Sequence, residues 1–124
     1  MGRTGRKRTV VAHEYVPDTG DLIWLDFTPQ AGREQAGRRP AVVLSPRRYN
    51  EKTSLAVVCP VTSQVKGYPF EVSLPPRSRI KGVILSDHLK NLDWRQRGAQ
   101  KAGKISQSIL EQVRARVAAL LEIS

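Results

Sequence analysis

A mainly β domain, a small and strongly curled sheet or open barrel covered by one carboxy-terminal helix, is the fold class this sequence predicts. Three observations carry the prediction. Short apolar segments recur with the two-residue period of strands, glycine and proline interrupt them every ten to fifteen residues, and the last twenty residues change to helical spacing. At 124 residues the chain fits a single domain, and a chain of that size buries roughly two thirds of its unfolded surface.

Residues 1–14, with Arg3, Arg6, Lys7 and Arg8, show neither period and read as a basic, disordered amino-terminal arm, leaving 15–124 as the domain. Ile23, Leu25 and Phe27 alternate with Leu22, Trp24 and Asp26, as a half-buried strand requires. Residues 41–44, 55–61 and 83–85 are continuous valine-rich runs, which fit strands covered on both sides. Phe70, Val72 and Leu74 alternate with Glu71 and Ser73, and Gly67, Pro69, Pro75, Pro76 and Gly82 punctuate this stretch. Ile109, Leu110, Val113, Val117, Leu120 and Leu121 then share one helical face, to be laid over an open end or face of the sheet. Its cap is either Ser106, or Ser108 with Glu111 as a capping box. Trp24 and Trp94 read as core, although Trp94, with Arg95 and Arg97 close by, also suits a stacking platform for a base.

The net charge is +10 and unevenly placed: +3 over residues 1–14, −3 over 15–32, +10 over 33–104 and zero over 105–124. An excess so placed would concentrate and steer a polyanion, nucleic acid or an acidic protein tail. The single Cys59 cannot form an intrachain disulfide and lies in an apolar run, so it reads as a buried structural thiol in a reducing, cytoplasmic setting. No segment approaches the roughly 20 apolar residues of a membrane span, and no membrane association is expected.

The candidate site lies on two polar strand edges. Residues 34–40 read Glu-Gln-Ala-Gly-Arg-Arg-Pro and run into the strand at 41–44, and residues 60–64 read Pro-Val-Thr-Ser-Gln. Should the two edges meet, Glu34, Arg39 and Thr62 converge. Two histidines, scattered acids and no metal-ligand spacing argue against a metal, and no cofactor is expected. A lone cysteine in a strand and the lack of a G-x-S-x-G or Walker pattern argue against a protein nucleophile or a P-loop. RNA cleavage needs neither, because the ribose 2′-hydroxyl attacks its own phosphate once it is aligned, deprotonated and its transition state is held. An arginine fork and a hydroxyl suit the holding, and Glu34 could take the proton. From spacing alone, Arg39 is equally a solvated charge before a strand and Thr62 an ordinary strand hydroxyl.

The segments Tyr15-Val16-Pro17-Asp18, Gly20-Asp21-Leu22-Ile23-Trp24, Glu34-Gln35-Ala36-Gly37, Arg39 to Ser45, and Tyr49-Asn50 occur in one order with Cys59-Pro60, Thr62, Gln64, Lys66 to Val72, Ser86-Asp87, Trp94-Arg95 and Arg97. On these residues the chain resembles the MazF (PemK-like) toxins, the ribonuclease halves of bacterial type II toxin-antitoxin pairs, over nearly its whole length. The resemblance implies a homodimer of SH3-like barrels that cuts single-stranded mRNA at short sequences without metal, leaving a 2′,3′-cyclic phosphate and a 5′-hydroxyl. The family's catalytic arginine and threonine match Arg39 and Thr62, and its supporting glutamate matches Glu34. RNA contacts are expected from Gln35 and Arg38 on the first edge and from Ser63, Gln64 and Lys66 on the second. Further along they are expected from Lys81, Asp87, His88, Lys90 and Arg97. The partner implied is a MazE-like antitoxin with an acidic, disordered tail, and contact with DNA would arise only through that antitoxin.

Three departures from the family stand out. His88 occupies a position where many members have glutamine, Asp93 one where a small residue is usual, and the arm is longer. They bear on base preference. A guanidinium, with a pKa above about 12, is a poor base near neutrality, so Arg39 is assigned to stabilising the phosphorane and Glu34 is the candidate base. Gly32 and Gly37 make the connection 29–39 a candidate lid over RNA. Two alternatives belong to other classes: a non-catalytic nucleic-acid-binding barrel, and a gyrase poison of the CcdB type. The second acts through a carboxy-terminal tryptophan, whereas this tail is Leu121-Glu122-Ile123-Ser124.

Overall fold

A computed structural model describes residues 14–27 and 37–123. Along them run β1 (Asp21–Phe27), β2 (Gly37–Val43), α1 (Arg47–Thr53), β3 (Leu55–Thr62), β4 (Glu71–Ser73), β5 (Val83–Leu85), β6 (Lys90–Asp93), β7 (Gln100–Lys104) and α2 (Gln107–Leu121). The strands pair antiparallel in the order β4-β5-β3-β2-β1-β7, with β6 on β3 beside this path. The architecture is thus mainly β with a carboxy-terminal helix, and its open path between β4 and β7 is compatible with a barrel-like fold. None of the described helices is long and apolar enough to cross a membrane.

Alternation along β1 divides its side chains between two cores. Leu22 joins Val42, Cys59, Val61 and Ile84 under Ile109, Leu110 and Val113 of α2. Ile23, Leu25 and Phe27 join Ala41, Val43, Ala56, Val58 and Trp94 on the other face. Consecutive residues such as Val42 and Val43 fall in opposite clusters, so β2 and β3 are covered on both sides, as continuous apolar runs imply. Each such side chain is worth roughly 1.5–3 kcal/mol on burial. Ser106 is the cap that α2 uses, its Oγ accepting the Ile109 N–H at 3.2 Å. Glu122, left-handed at φ 57°, ends the helix.

Three elements have no counterpart in the sequence reading. The strands β6 and β7 are polar, and pairing with β3 and β1 makes them strands rather than any apolar period of their own. The helix α1 buries only Asn50. That side chain is a polar pin: its Nδ2 donates to Pro17 O at 2.8 Å and Ser45 O at 3.0 Å, and its Oδ1 accepts from Ser45 Oγ at 2.6 Å. The Asn50 carbonyl also accepts from Trp94 Nε1 at 2.9 Å. The amino-terminal segment, the β2–α1 turn and the β6–β7 connection are thereby tied together.

Trp94 is 3% exposed, with the Arg95 guanidinium 4.3 Å above its ring, which makes it core rather than a stacking platform. Trp24 is half-buried against the helix-side core. Cys59 is buried, its thiol donating to Ser86 O at 3.8 Å, and burial pushes its pKa up to about 12. Glu14, the last residue of the expected arm, accepts from Arg95 Nε at 2.8 Å and Nη2 at 3.0 Å, which holds its carboxyl below the usual range. The rest of the arm, residues 1–13, lies outside the described residues.

Candidate active site at a forked strand pair

A proline limits how far β2 and β3 stay together. Their ladder holds Val43 against Val58, Val42 against Cys59 and Ala41 against Pro60. Leu44 donates to Val57 O, so the hydrogen-bonded pairs of this ladder are 44 with 57, 42 with 59 and, next, 40 with 61, where Pro40 has no N–H to give. Beyond this point the strands take different partners. β2 continues along β1, with Arg39 opposite Leu25 and Gly37 opposite Phe27. β3 passes to β5, pairing Val61 with Ile84 and Thr62 with Val83. Continuing the ladder's register past its last pair sets Arg39 level with Thr62, one on each lip of the fork. Arg39 is accordingly a residue within β2, not one preceding a strand, because β1 supplies partners for the polar extension.

Arg39 is exposed and Thr62 half-buried. Thr62 Oγ1 accepts the Gln64 N–H at 3.1 Å, a turn that fixes the hydroxyl and keeps its hydrogen for an outside acceptor. The backbone beneath it is fixed by Gly82. A Cβ there would stand 2.1 Å from Thr62 O, and its φ of +124° is itself a glycine conformation.

From Thr62 a cavity of about 620 Å³ opens, lined by Gln64, Lys66, Tyr68, Glu71, Leu85 and His88. Its outer wall, the loop 63–70, is braced from two sides. The Glu71 carboxylate accepts the N–H groups of Lys66 and Gly67, each at 2.9 Å, and Arg116 of α2 donates from Nε to Pro69 O at 2.8 Å. At the back, Tyr68 donates its hydroxyl to Asp87 Oδ1 at 3.1 Å, and His88 Nε2 stands 3.8 Å from the same oxygen. Burial, and then that carboxylate, push the Tyr68 phenol up to about 12, so it is a neutral donor at physiological pH.

The expected RNA-contact residues separate into groups. Thr62, Gln64, Lys66 and His88 share the cavity, with Asp87 behind them and the exposed Ser63 on its loop. Arg38 is committed elsewhere, donating to Asp26 Oδ1 at 3.0 Å, Gly98 O at 2.6 Å and Gln100 Oε1 at 2.8 Å across β1 and β7. Arg97 donates to Asp26 O at 3.2 Å on that same side, and Lys81 donates to Pro76 O within its own loop. Lys90 is half-buried on β6 opposite Val58. Glu34, Gln35 and the expected lid, apart from its last residues 37–39, lie outside the described residues. Among the described residues no group of three or more His, Cys, Asp or Glu is placed to hold a metal ion.

Sequence reasoning did not assign Tyr68, Glu71, Leu85, Gly82 or Arg116 to the site. Tyr68 and Glu71 lie in the motif at 66–72 that carries the resemblance, which was the available signal. Gly82 reads only as turn punctuation. Arg116 reaches a loop 47 residues away in sequence, for which no local pattern exists.

Comparison with known proteins gives a consistent picture. Residues 18–121 match a family model described as PemK-like, MazF-like toxin of type II toxin-antitoxin system. The endoribonuclease toxin MazF of Escherichia coli (strain K12) is 52% identical over 107 residues, covering 86% of this chain and 96% of that protein. The crystal structure of MazF from Deinococcus radiodurans matches with a TM-score of 0.85 at 54% identity, over 89% of this chain and 100% of the other. A MazE-MazF crystal structure from the same organism matches with a TM-score of 0.81 at 49% identity, over 90% and 100%.

Proposed function

The chain belongs to the PemK-like, MazF-like toxins of type II toxin-antitoxin systems and is an endoribonuclease, and from that premise we propose how it cuts. The substrate is single-stranded RNA, chiefly mRNA, entered at the fork between β2 and β3. Arg39 donates to two oxygens of the scissile phosphate and stabilises the phosphorane as its charge develops. Thr62 donates its hydroxyl hydrogen to a further oxygen. The neighbouring 2′-hydroxyl attacks the phosphorus and the 5′-oxygen leaves, giving a 2′,3′-cyclic phosphate and a 5′-hydroxyl. Glu34 accepts the 2′-hydroxyl proton, and Arg39 is the group placed to protonate the leaving oxygen. No metal ion or cofactor takes part.

One arrangement supports this reading above all: an arginine and a threonine level with each other on the two lips of a strand fork, with a nucleotide-sized cavity beginning at the threonine. Lys66 in that cavity suits the phosphate of an adjoining nucleotide. In solution the chain forms a homodimer. Its antitoxin, of the MazE kind found with the Deinococcus radiodurans MazF, lays an acidic, disordered tail along the basic surface and excludes RNA. Contact with DNA comes only through that antitoxin. Toxin and antitoxin meet in the cytoplasm, where the basic arm of residues 1–13 adds phosphate contacts.

Incubating end-labelled RNA with the protein in EDTA tests the proposal directly. Cleavage is expected to persist, with 2′,3′-cyclic phosphate and 5′-hydroxyl ends, to fall steeply in Thr62→Val and to be largely kept in Thr62→Ser. Loss of cleavage on chelation, or full activity in Thr62→Val, would overturn it. Single-turnover rates of Glu34→Gln across pH test the base: an unchanged profile would remove the glutamate from proton transfer.

A further inference from the structure

The loop from β4 to β5, residues 74–82, carries three cations, Arg77, Arg79 and Lys81, and no acid. Its own bonds hold it in one shape. Leu74 donates its N–H to Gly82 O at 3.0 Å and closes the base, and Ser78 donates to Pro75 O at 2.9 Å across a turn that starts with two prolines. Ile80 is buried in the helix-side core, with Arg79 and Lys81 exposed on either side of it. Lys81 is committed within the loop, since its ammonium donates to Pro76 O. Arg77 and Arg79 are exposed, and among the described residues neither has a hydrogen bond or an ion pair. Two guanidiniums two residues apart on a pinned loop repel each other, and a ligand that brings negative charges in series relieves that repulsion.

The position of the loop decides which polyanion that is. At its end Gly82 lies against the residues that follow β3, so closely that a Cβ would stand 3.1 Å from Ser63 Cα, and the next residue, Val83, pairs with Thr62. The loop therefore rises from the end of the sheet where Thr62 lies. On its far side Arg77 and Ser78 line a cavity of about 160 Å³ with Lys104 and Ser106, over Leu74 and Ile109. Lys101 and Lys104 share a single carboxylate there, standing 3.7 Å and 3.3 Å from Asp21 Oδ1, so this face keeps a positive excess. A guanidinium fork fits two oxygens of one phosphate. No aromatic ring lines that cavity, which offers phosphate contacts without a surface on which a base would stack. RNA is favoured over an acidic peptide because the substrate of an endoribonuclease already comes to the Thr62 end, and its next nucleotides then lie beside this loop.

We infer that the loop 74–82 is a phosphate track for the flank of the substrate, with Arg77 and Arg79 holding the RNA backbone to one side of the cut whatever its sequence. The track contributes affinity and the fork does the chemistry. The place of the cut is then independent of these arginines, while the hold on a transcript grows with the single-stranded length beside the cut. The inference rests on the proposed entry of RNA at Thr62 and names a second surface for that same substrate.

The test compares a minimal RNA that carries the mapped cut site with versions extended by a polyuridine tail on the 5′ side or on the 3′ side. Affinities are measured on copies that lack the 2′-oxygen at the cut, and single-turnover cleavage on the intact ones. With the wild-type protein, one of the two tails should tighten binding about fivefold at low salt. The double variant Arg77→Ala, Arg79→Ala should lose that gain and still bind and cut the minimal RNA at the wild-type level. Its salt slope on the extended RNA should be shallower by about 1.4, two phosphates at about 0.7 each. Arg77→Lys with Arg79→Lys should keep most of the gain, because charge is what the track uses. Both arginines are exposed, so neither substitution threatens folding, and urea midpoints check this. A gain that survives in the double alanine variant, no gain from either tail, or an equal loss on the minimal RNA would overturn the inference. So would an acidic peptide that loses affinity in this variant while the extended RNA does not, which would give the loop to a protein tail. Full cleavage of the minimal RNA by Thr62→Val would instead bring down the fork reading, since affinity is read apart from cleavage.

Discussion

Where β2 runs out towards α1, Val43 pairs with Val58, and Ser45 and Asn50 close a fully bonded polar network beneath the surface. Where the same strand begins, its pairing with β3 has lapsed, Arg39 is exposed on β2 opposite Leu25, and Thr62 is half-buried on β3 opposite Val83. Only a few residues separate the two conditions, and Pro40 marks the change. The contrast teaches how a small sheet can carry both a core and a site without compromise. One end of a strand pair is closed, satisfied and rigid. At the other the two strands part to separate partners, and an arginine and a hydroxyl stand near the surface. Damage at the closed end should appear as lost stability, and damage at the open end as lost turnover.

The largest effect should come from the open end. Arg39→Ala is expected to lower single-turnover cleavage by about 10³-fold, the scale of losing a transition-state donor, while the urea midpoint moves little. A variant that unfolds instead, or cuts normally, breaks the comparison. At the closed end, Asn50→Ala should cost about 3 kcal/mol by urea denaturation, because it takes the acceptor from the Ser45 hydroxyl hydrogen and the amide donors from the Pro17 and Ser45 carbonyls. Its folded fraction should cut at the normal rate. The adjacent arginines sharpen the contrast within a single strand. Arg38→Ala should lose about 1 kcal/mol of stability, since its donors are spent on β1 and β7, and should leave the salt dependence of RNA binding unchanged. A shallower salt slope would return Arg38 to the binding surface.

The smallest effect at neutral pH is one that emerges only in alkali. The folded state raises Cys59 from 9.0 to about 12 and Tyr68 from 10.0 to about 12. Both groups are held neutral, so their contribution is complete below the unfolded values and drains away as pH climbs from there towards 12. Stability measured from pH 8 to 11 should decline, and Cys59→Ala should flatten the earlier part of that decline. Flattening by Tyr68→Phe alone would put the burden on the cavity wall rather than on the core.

The sequence made the closed end legible because apolar patterning is local. The alternation in β1 and the valine runs of β2, β3 and β5 gave strands, and the spacing from Ile109 to Leu121 gave α2. It left out α1, β6 and β7, whose residues are polar and whose order is imposed from elsewhere, by the Asn50 pin and by pairing with β3 and β1. At the open end Arg39 and Thr62 were singled out only through resemblance. Their placement was not legible, since it depends on where a ladder stops. Arg38 shows the limit most plainly. Beside Arg39 in sequence it looks like a second phosphate ligand, and only the neighbouring strand reveals that its bonds are taken.

Gly82 carries a practical corollary. Its missing side chain lets the main chain leading into β5 lie directly against that of Thr62, so a substitution there pushes on the Thr62 backbone from behind. Bacteria selected to survive forced production of this poison should therefore yield alleles at codon 82 as well as at the chemical residues. Such alleles would give a graded series of weakened toxins.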